Sequence, residues 1–154
     1  MGAKTRDDQV LLTLVERKSR EFLMLPIADK TSACVMKAIE RLQETYSKHF
    51  AEVFKTITTD NGSEFADLSE LEKMADTLVY YAHPYTSCDE GSVERHNGLI
   101  RRFIPKGKWI DDFTGQQISD VETWCNCLLQ KVLGYRTPDE IFEEEIDRIY
   151  QATA

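Results

Sequence analysis

Two apolar runs near the start of the chain, VLLTLV at Val10 to Val15 and FLMLPI at Phe22 to Ile27, constrain its fold most. Only Thr13 interrupts the first, and the second closes on Pro26-Ile27. Apolar residues at consecutive rather than alternate positions suit strands buried on both faces. Between the runs lies Glu16-Arg17-Lys18-Ser19-Arg20, a connection short enough for an antiparallel hairpin. Such a hairpin needs packed layers beside it, and much of the remaining sequence reads as helix.

Thr31 or Ser32 offers an N-cap, and Val35, Ala38, Ile39, Leu42 and Tyr46 follow at helical spacing. Phe54 to Thr58 is a short β-prone strand that ends just before Asp60. Phe65, Leu68, Leu71 and Met74 recur at helical spacing, and Leu78 to Tyr81 is a further short strand. Pro84 to Gly91 is a loop rich in turn formers. A helix is expected from about Asp89 or Ser92 to Phe103, stopped by Pro105. Ile118, Val121, Trp124, Cys125, Leu128, Leu129 and Val132 mark another amphipathic helix. Thr137-Pro138-Asp139-Glu140 has capping-box spacing with proline at the first helical position. It starts a helical tail, 137–151, that carries Ile141, Phe142, Ile146 and Ile149. The order describes an α/β sheet with an antiparallel hairpin first and parallel strands reached through helices. With no internal repeat and no linker, 1–154 reads as a single domain.

The net charge of −8 argues against broad nucleic-acid binding. The charge is unevenly spread, however. Arg95, Arg101, Arg102, Lys106 and Lys108 form a basic strip from 95 to 108 that contains no acid, whereas Asp139 to Asp147 is strongly acidic. A local basic strip on an acidic domain suits a phosphate-backbone partner. No apolar run approaches the roughly 20 residues of a membrane span, and the start carries no apolar leader. The expectation is a cytoplasmic protein without a membrane partner. The four cysteines, Cys34, Cys88, Cys125 and Cys127, form no Cys-x-x-Cys pair and read as reduced thiols, mostly buried.

The stretch TTDNGSEF, Thr58 to Phe65, holds the sharpest ambiguity. Asn61-Gly62 is a common hairpin-turn dipeptide, yet no alternating strand follows it. Asp60 instead falls just past a strand end, where open α/β sheets place their sites. Glu94 falls early in a later helix, where the dipole favours a carboxylate. Carboxylates converging on hard cations are what two-metal phosphoryl transfer requires.

TDNGSEF followed by HPYTSCDEGSVERHNGLIRRF resembles the catalytic core of DDE recombinases, the retroviral integrase-like superfamily with the ribonuclease H-like fold. LLTLVERKSREFLMLPIADKTSACV, IRRFIPKG and LGYRTPDEIF resemble bacterial insertion-sequence transposases of this class. The resemblance spans nearly the whole chain. It implies a mixed sheet flanked by helices, a triad of two Asp and one Glu, Mg²⁺ or Mn²⁺, and DNA nicking by water followed by strand transfer from a 3′-hydroxyl. Carried over by position, Asp60 is the second acid and Glu94 the third. DNA, as transposon ends and target, is the implied partner. The contacts are expected from Arg95, Asn97, Arg101, Arg102, Lys106 and Lys108, in a homo-oligomer such as a homodimer within the bacterial cytosol.

The sequence departs from the family's pattern in places. Glu90 stands where relatives usually carry a basic residue, and Arg95 where they usually carry Asn, which puts substrate preference in doubt. The family's first Asp lies on a central strand preceding the residues that match GAKTRDDQ, so that strand is expected to be largely missing. Asp7 and Asp8 fall in the turn leading to the second strand and make poor substitutes. The fragment alone is therefore expected to be inactive. Two alternatives stay open: a non-catalytic remnant with weak DNA binding or dimerisation, and another ribonuclease H-like nuclease. Among the aromatic and imidazole residues, His83 reads as a structural loop residue. His96 reads as an exposed helix residue or one positioning phosphate, and Trp124 as core. Trp109, next to the basic strip, could stack on bases, and its role stays open.

Overall fold

The computed structural model describes residues 9–59, 61–81 and 87–153, and for 87–93 the backbone alone. β1 (Val10–Val15) and β2 (Phe22–Ile27) form the expected antiparallel hairpin, with Val10 opposite Ile27 and Val15 opposite Phe22. Its turn is tied by the Glu16 carboxylate, which accepts from the backbone N–H of Lys18 and Ser19 and from the Ser19 hydroxyl. Arg20 closes the turn in the left-handed region at φ 64°.

Helix α1 (Ser32–Tyr46) starts at Thr31, whose hydroxyl accepts from the Cys34 N–H, and it buries Val35, Ala38, Ile39 and Leu42 as their spacing requires. A short helix α2 (Phe50–Val53) leads to β3 (Thr56–Thr59). The Ser63–Glu70 stretch coils as a 3₁₀ helix and runs into helix α3 (Leu71–Met74). Leu68 and Leu71 are buried as expected, but Met74 is exposed. β4 (Leu78–Tyr81) then pairs with β3 in parallel, Thr59 opposite Tyr81. Asn61-Gly62 therefore does not connect a hairpin.

Helix α4 (Ser87–Ile100) begins earlier than the sequence suggested and ends before Pro105, with the chain continuing as turns through Phe103. Helix α5 (Gly115–Asn126) is closed at its start by a capping box of Thr114 and Gln117. It stops well short of Val132, so Leu129 and Val132 do not extend its apolar stripe and both are exposed. The helix gives way because Gln130 bridges Arg136 across a tight loop, with Gly134 at φ 65°. Helix α6 (Pro138–Ala152) carries the expected capping box of Thr137 and Glu140.

The hairpin is covered on both faces, as its unbroken apolar runs demanded. One face, with Leu12 and Ile27, packs with α1, Phe50, Phe54, Ile57, Leu68 and Leu71. The other, with Phe22 and Met24, packs with Ile100, Ile104, Ile110, Ile118, Val121 and Cys125. Among the described residues the strands form two separate pairs, β1-β2 and β3-β4, rather than one continuous sheet.

The outer edges of both pairs are sealed by side chains. Phe22 N–H donates to Asn126 Oδ1 (2.9 Å) and Met24 N–H to Glu122 Oε2 (2.5 Å), while Pro26 has no N–H to offer. On β4 the Val79 N–H donates to Glu72 Oε1 at 2.9 Å. Because the Phe22 N–H points away from β1, strand alternation turns the N–H groups of Leu11, Thr13 and Val15 away from β2. None of these three has an acceptor among the described residues.

Candidate active site

The candidate acids belong in sequence to the segment after β3 and to α4. β3 is held by its ladder to β4, and Leu78 N–H donates to the Lys55 carbonyl at 3.0 Å. The turn that follows is closed by Phe65 N–H donating to the Gly62 carbonyl at 3.0 Å. Two further ties hold it. Lys30 Nζ, from the loop before α1, reaches Glu64 Oε1 at 2.7 Å, and Ser32 Oγ donates to Asp67 Oδ2 at 2.5 Å. From the end of β4, the Tyr81 hydroxyl donates to the Phe65 carbonyl at 3.1 Å. Glu64 is buried, 9% exposed. Burial pushes its carboxyl up, but the Lys30 hydrogen bond, a backbone hydrogen bond and the Lys30 charge together hold it below the usual range.

Asp60, the second acid by resemblance, lies outside the described residues, as do His83, Asp7 and Asp8. Glu94 stands on α4 with its side chain exposed. Its carboxylate oxygens match the hard-donor preference of Mg²⁺ or Mn²⁺ in kind. Among the described residues, however, no three His, Cys, Asp or Glu side chains gather where an ion could sit.

The basic residues from 95 to 108 do not share one helix face. Arg95 is exposed on α4, with Asn97 half-buried. Arg101 and Arg102 follow in the turn after the helix, where Arg102 N–H donates to the Leu99 carbonyl at 3.1 Å. Arg102, Lys106 and Lys108 are exposed and Arg101 is half-exposed. Among the described residues none of the five cations pairs with a carboxylate. Phe103 anchors this turn edge-on against Trp124, ring centroids 4.8 Å apart. Trp124 is half-buried against the core formed by Phe22 and Val121.

His96 corrects the sequence reading. It is neither exposed nor turned to a phosphate but 3% exposed, its ring stacked on Phe22 at 4.8 Å. Two positions from Glu94 along a helix is the opposite side, so one turn of α4 offers Glu94 outward and His96 to the hairpin. Among the described side chains the cysteines Cys34, Cys125 and Cys127 are free; Cys125 is buried, but Cys34 is half-buried and Cys127 exposed.

Sequence reasoning passed over Lys30 and Glu64, because nothing in their separation marks them as a pair. It also passed over a buried polar cluster on the far side of the hairpin. Asn126 Nδ2 donates to the Phe22 carbonyl and to Glu21 Oε1, both at 2.8 Å. Glu21 is 7% exposed, and its Oε2 has no hydrogen-bond partner among the described residues. Burial, followed by the charges of Asp139, Glu122, Glu143 and Glu16, pushes its carboxyl up to about 8. Burial also raises Glu122, against the Met24 hydrogen bond that lowers it.

Among the described residues no helix is long and apolar enough to cross a membrane. No protein-family model matches the chain. Individual relatives do. The chain is 34% identical over 143 residues to the probable transposase for the insertion-like sequence element IS1161 of Streptococcus salivarius, covering 93% of this chain and 39% of that protein. It is 34% identical to the transposase for IS4351 of Bacteroides fragilis, over 90% of this chain and 41% of that one. A third relative, the transposase InsI for IS30C of Escherichia coli K12, is 32% identical over 88% of this chain and 35% of its own length. The chain thus spans about two fifths of the curated relatives it matches. In structure it resembles the catalytic core domain of BIV integrase at TM-score 0.65 and 21% identity, covering 92% of this chain and 90% of that one. In sequence the chain is similar to insertion-sequence transposases over most of its length, and in fold it is similar to an integrase core domain, of the α/β, ribonuclease H-like kind.

Proposed function

We propose that the chain is the catalytic-core portion of a DDE-class transposase that acts on DNA by metal-dependent phosphoryl transfer. The observation that carries this reading is the coincidence, along most of the chain, of transposase sequence with integrase-core fold. In this reading Asp60 and Glu94 hold Mg²⁺ or Mn²⁺, whose chemistry is to stabilise charge on the phosphoryl group and its oxygens. The chain's other residues bind and orient. Arg95, Asn97, Arg101, Arg102, Lys106 and Lys108 meet the phosphate backbone of transposon ends or target, setting position rather than reading bases. The chain works as a homo-oligomer, a homodimer in its simplest form, in the bacterial cytosol.

Asp60 and Glu94 match two of the family's three acids, and DNA binding is the direct assay for the residues proposed to meet it. Fluorescence anisotropy with a labelled duplex, over a salt series, should show binding that weakens steeply with salt. Replacing Arg102 and Lys106 by Ala should weaken binding equally for unrelated sequences and lower the log–log salt slope by about one to two. Absence of binding at about 50 mM salt, where backbone contacts are strong, would overturn the reading.

A further inference from the structure

The end of α1 and the end of α6 border an open cleft of about 590 Å³, lined by residues 45–49 with Tyr150 and Thr153. Its size falls within the roughly 300–1,000 Å³ of small-ligand sites, and the candidate active site uses none of its residues. His49 is 5% exposed, and its Nδ1 has no hydrogen-bond partner among the described residues; Glu52 Oε1 stands off at 3.6 Å. Buried polar atoms are nearly always paired, so an orphan on a residue that lines a cleft calls for a partner from outside the fold.

The lining states the sign of that partner. The hydroxyls of Thr45, Ser47 and Thr153 donate to the carbonyls of Arg41, Glu44 and Ile149, at 2.9, 3.2 and 3.1 Å. Their protons are committed, and what each leaves is an acceptor lone pair. The rings of His49 and Tyr150 lie 4.2 Å apart, with the half-buried Tyr46 in the same lining; tyrosine faces attract cations. Helix α1 ends here with no basic side chain in its last turn, so nothing within that turn offsets its negative dipole end. Charges further off act in the same sense: burial, then the charges of Glu21, Tyr150 and Glu122, pushes the Tyr46 hydroxyl up. Lys48, exposed at the cleft, opposes them.

We infer that this cleft binds an organic ammonium group, with His49 Nδ1 and the hydroxyl oxygens accepting its N–H groups, the tyrosine rings beside it and Glu52 as the nearby counter-charge. An ammonium suits the lining better than a guanidinium, because the acceptors are single atoms rather than the paired carboxylate oxygens that a guanidinium fork matches. The group arrives on a free aliphatic amine or on a lysine side chain of a partner protein.

The test is nuclear magnetic resonance of the His49 and tyrosine rings in the purified chain. The titrants are n-butylammonium, a lysine-containing tripeptide blocked at both ends, and butyrate as an anion of matching length; a His49→Gln variant assigns the His49 signals. At least one ammonium probe should shift the His49 and Tyr150 signals saturably, and butyrate should not. Tyr150→Leu should weaken ammonium binding about two- to fivefold, and Lys48→Met should strengthen it, with circular dichroism showing both variants folded. Tighter binding of the tripeptide assigns the ammonium to a partner protein, and equal or weaker binding assigns it to a free amine. No saturable shift with either ammonium probe, or butyrate binding that Lys48→Met abolishes, overturns the inference. It also fails if folded Tyr150→Leu binds both ammonium probes as the parent does.

Discussion

Replacing Glu21 by Gln should stabilise the protein above neutral pH and leave it nearly unchanged in mild acid. Glu21 is buried at the end of the hairpin, receives one hydrogen bond from Asn126, and has a carboxyl pushed up to about 8 from its ordinary 4.5. The sign follows from proton counting. Between those two values the folded chain keeps the proton that the unfolded chain releases, so stability falls as pH rises through this window and levels off above it. At about 1.4 kcal/mol per pH unit the full penalty has a ceiling near ~5 kcal/mol. Water entry and relaxation at a hairpin end reduce it, and roughly 2–3 kcal/mol is expected. Glutamine keeps the oxygen that accepts from Asn126 and cannot ionise. It places an N–H where protonated Glu21 places an O–H, so at pH 5 the two proteins should agree within about 0.5 kcal/mol. Urea unfolding at pH 5, 6.5 and 8.5, with the slope on denaturant unchanged, measures the difference. Equal separation of the two proteins at pH 5 and 8.5, or a less stable Gln variant at pH 8.5, would refute the reasoning.

The same cluster predicts that Asn126→Ala is far more damaging than its size suggests. It removes the partner of the Phe22 N–H, the Phe22 carbonyl and Glu21 together, for a loss of about 3–5 kcal/mol in urea unfolding. Proline should distinguish the two edges of β1: Leu12→Pro breaks a ladder bond to β2, whereas Thr13→Pro removes an N–H that faces away from it. Measured against alanine at each position, the Leu12 variant should be less stable by at least about 1 kcal/mol. His96→Ala should cost about 2–4 kcal/mol by emptying the space beneath Phe22. It should leave the salt dependence of DNA binding unaltered, because the ring is buried away from the basic strip.

Much of this architecture is written in local patterns. Unbroken apolar runs marked β1 and β2 because a strand covered on both faces has no polar side to display. Thr31, and the Thr137-Pro138-Asp139-Glu140 box, marked helix starts because orphan N–H groups need nearby oxygens, and both caps are made. The basic strip was legible as charge, and the motif around Asp60 and Glu94 as family resemblance. What local pattern could not supply was which distant groups meet. Leu129 and Val132 continue a helical stripe in sequence but face water, because the Gln130–Arg136 bridge ends the helix first. His96 reads as a surface residue, yet Phe22 takes its ring into the core. Lys30 finds Glu64, and Asn126 finds the open edge of Phe22, only once the chain has folded. Hydrophobic spacing is a property of one segment and survives in the sequence; a hydrogen bond or ion pair between segments depends on both being delivered to one place, which packing alone decides.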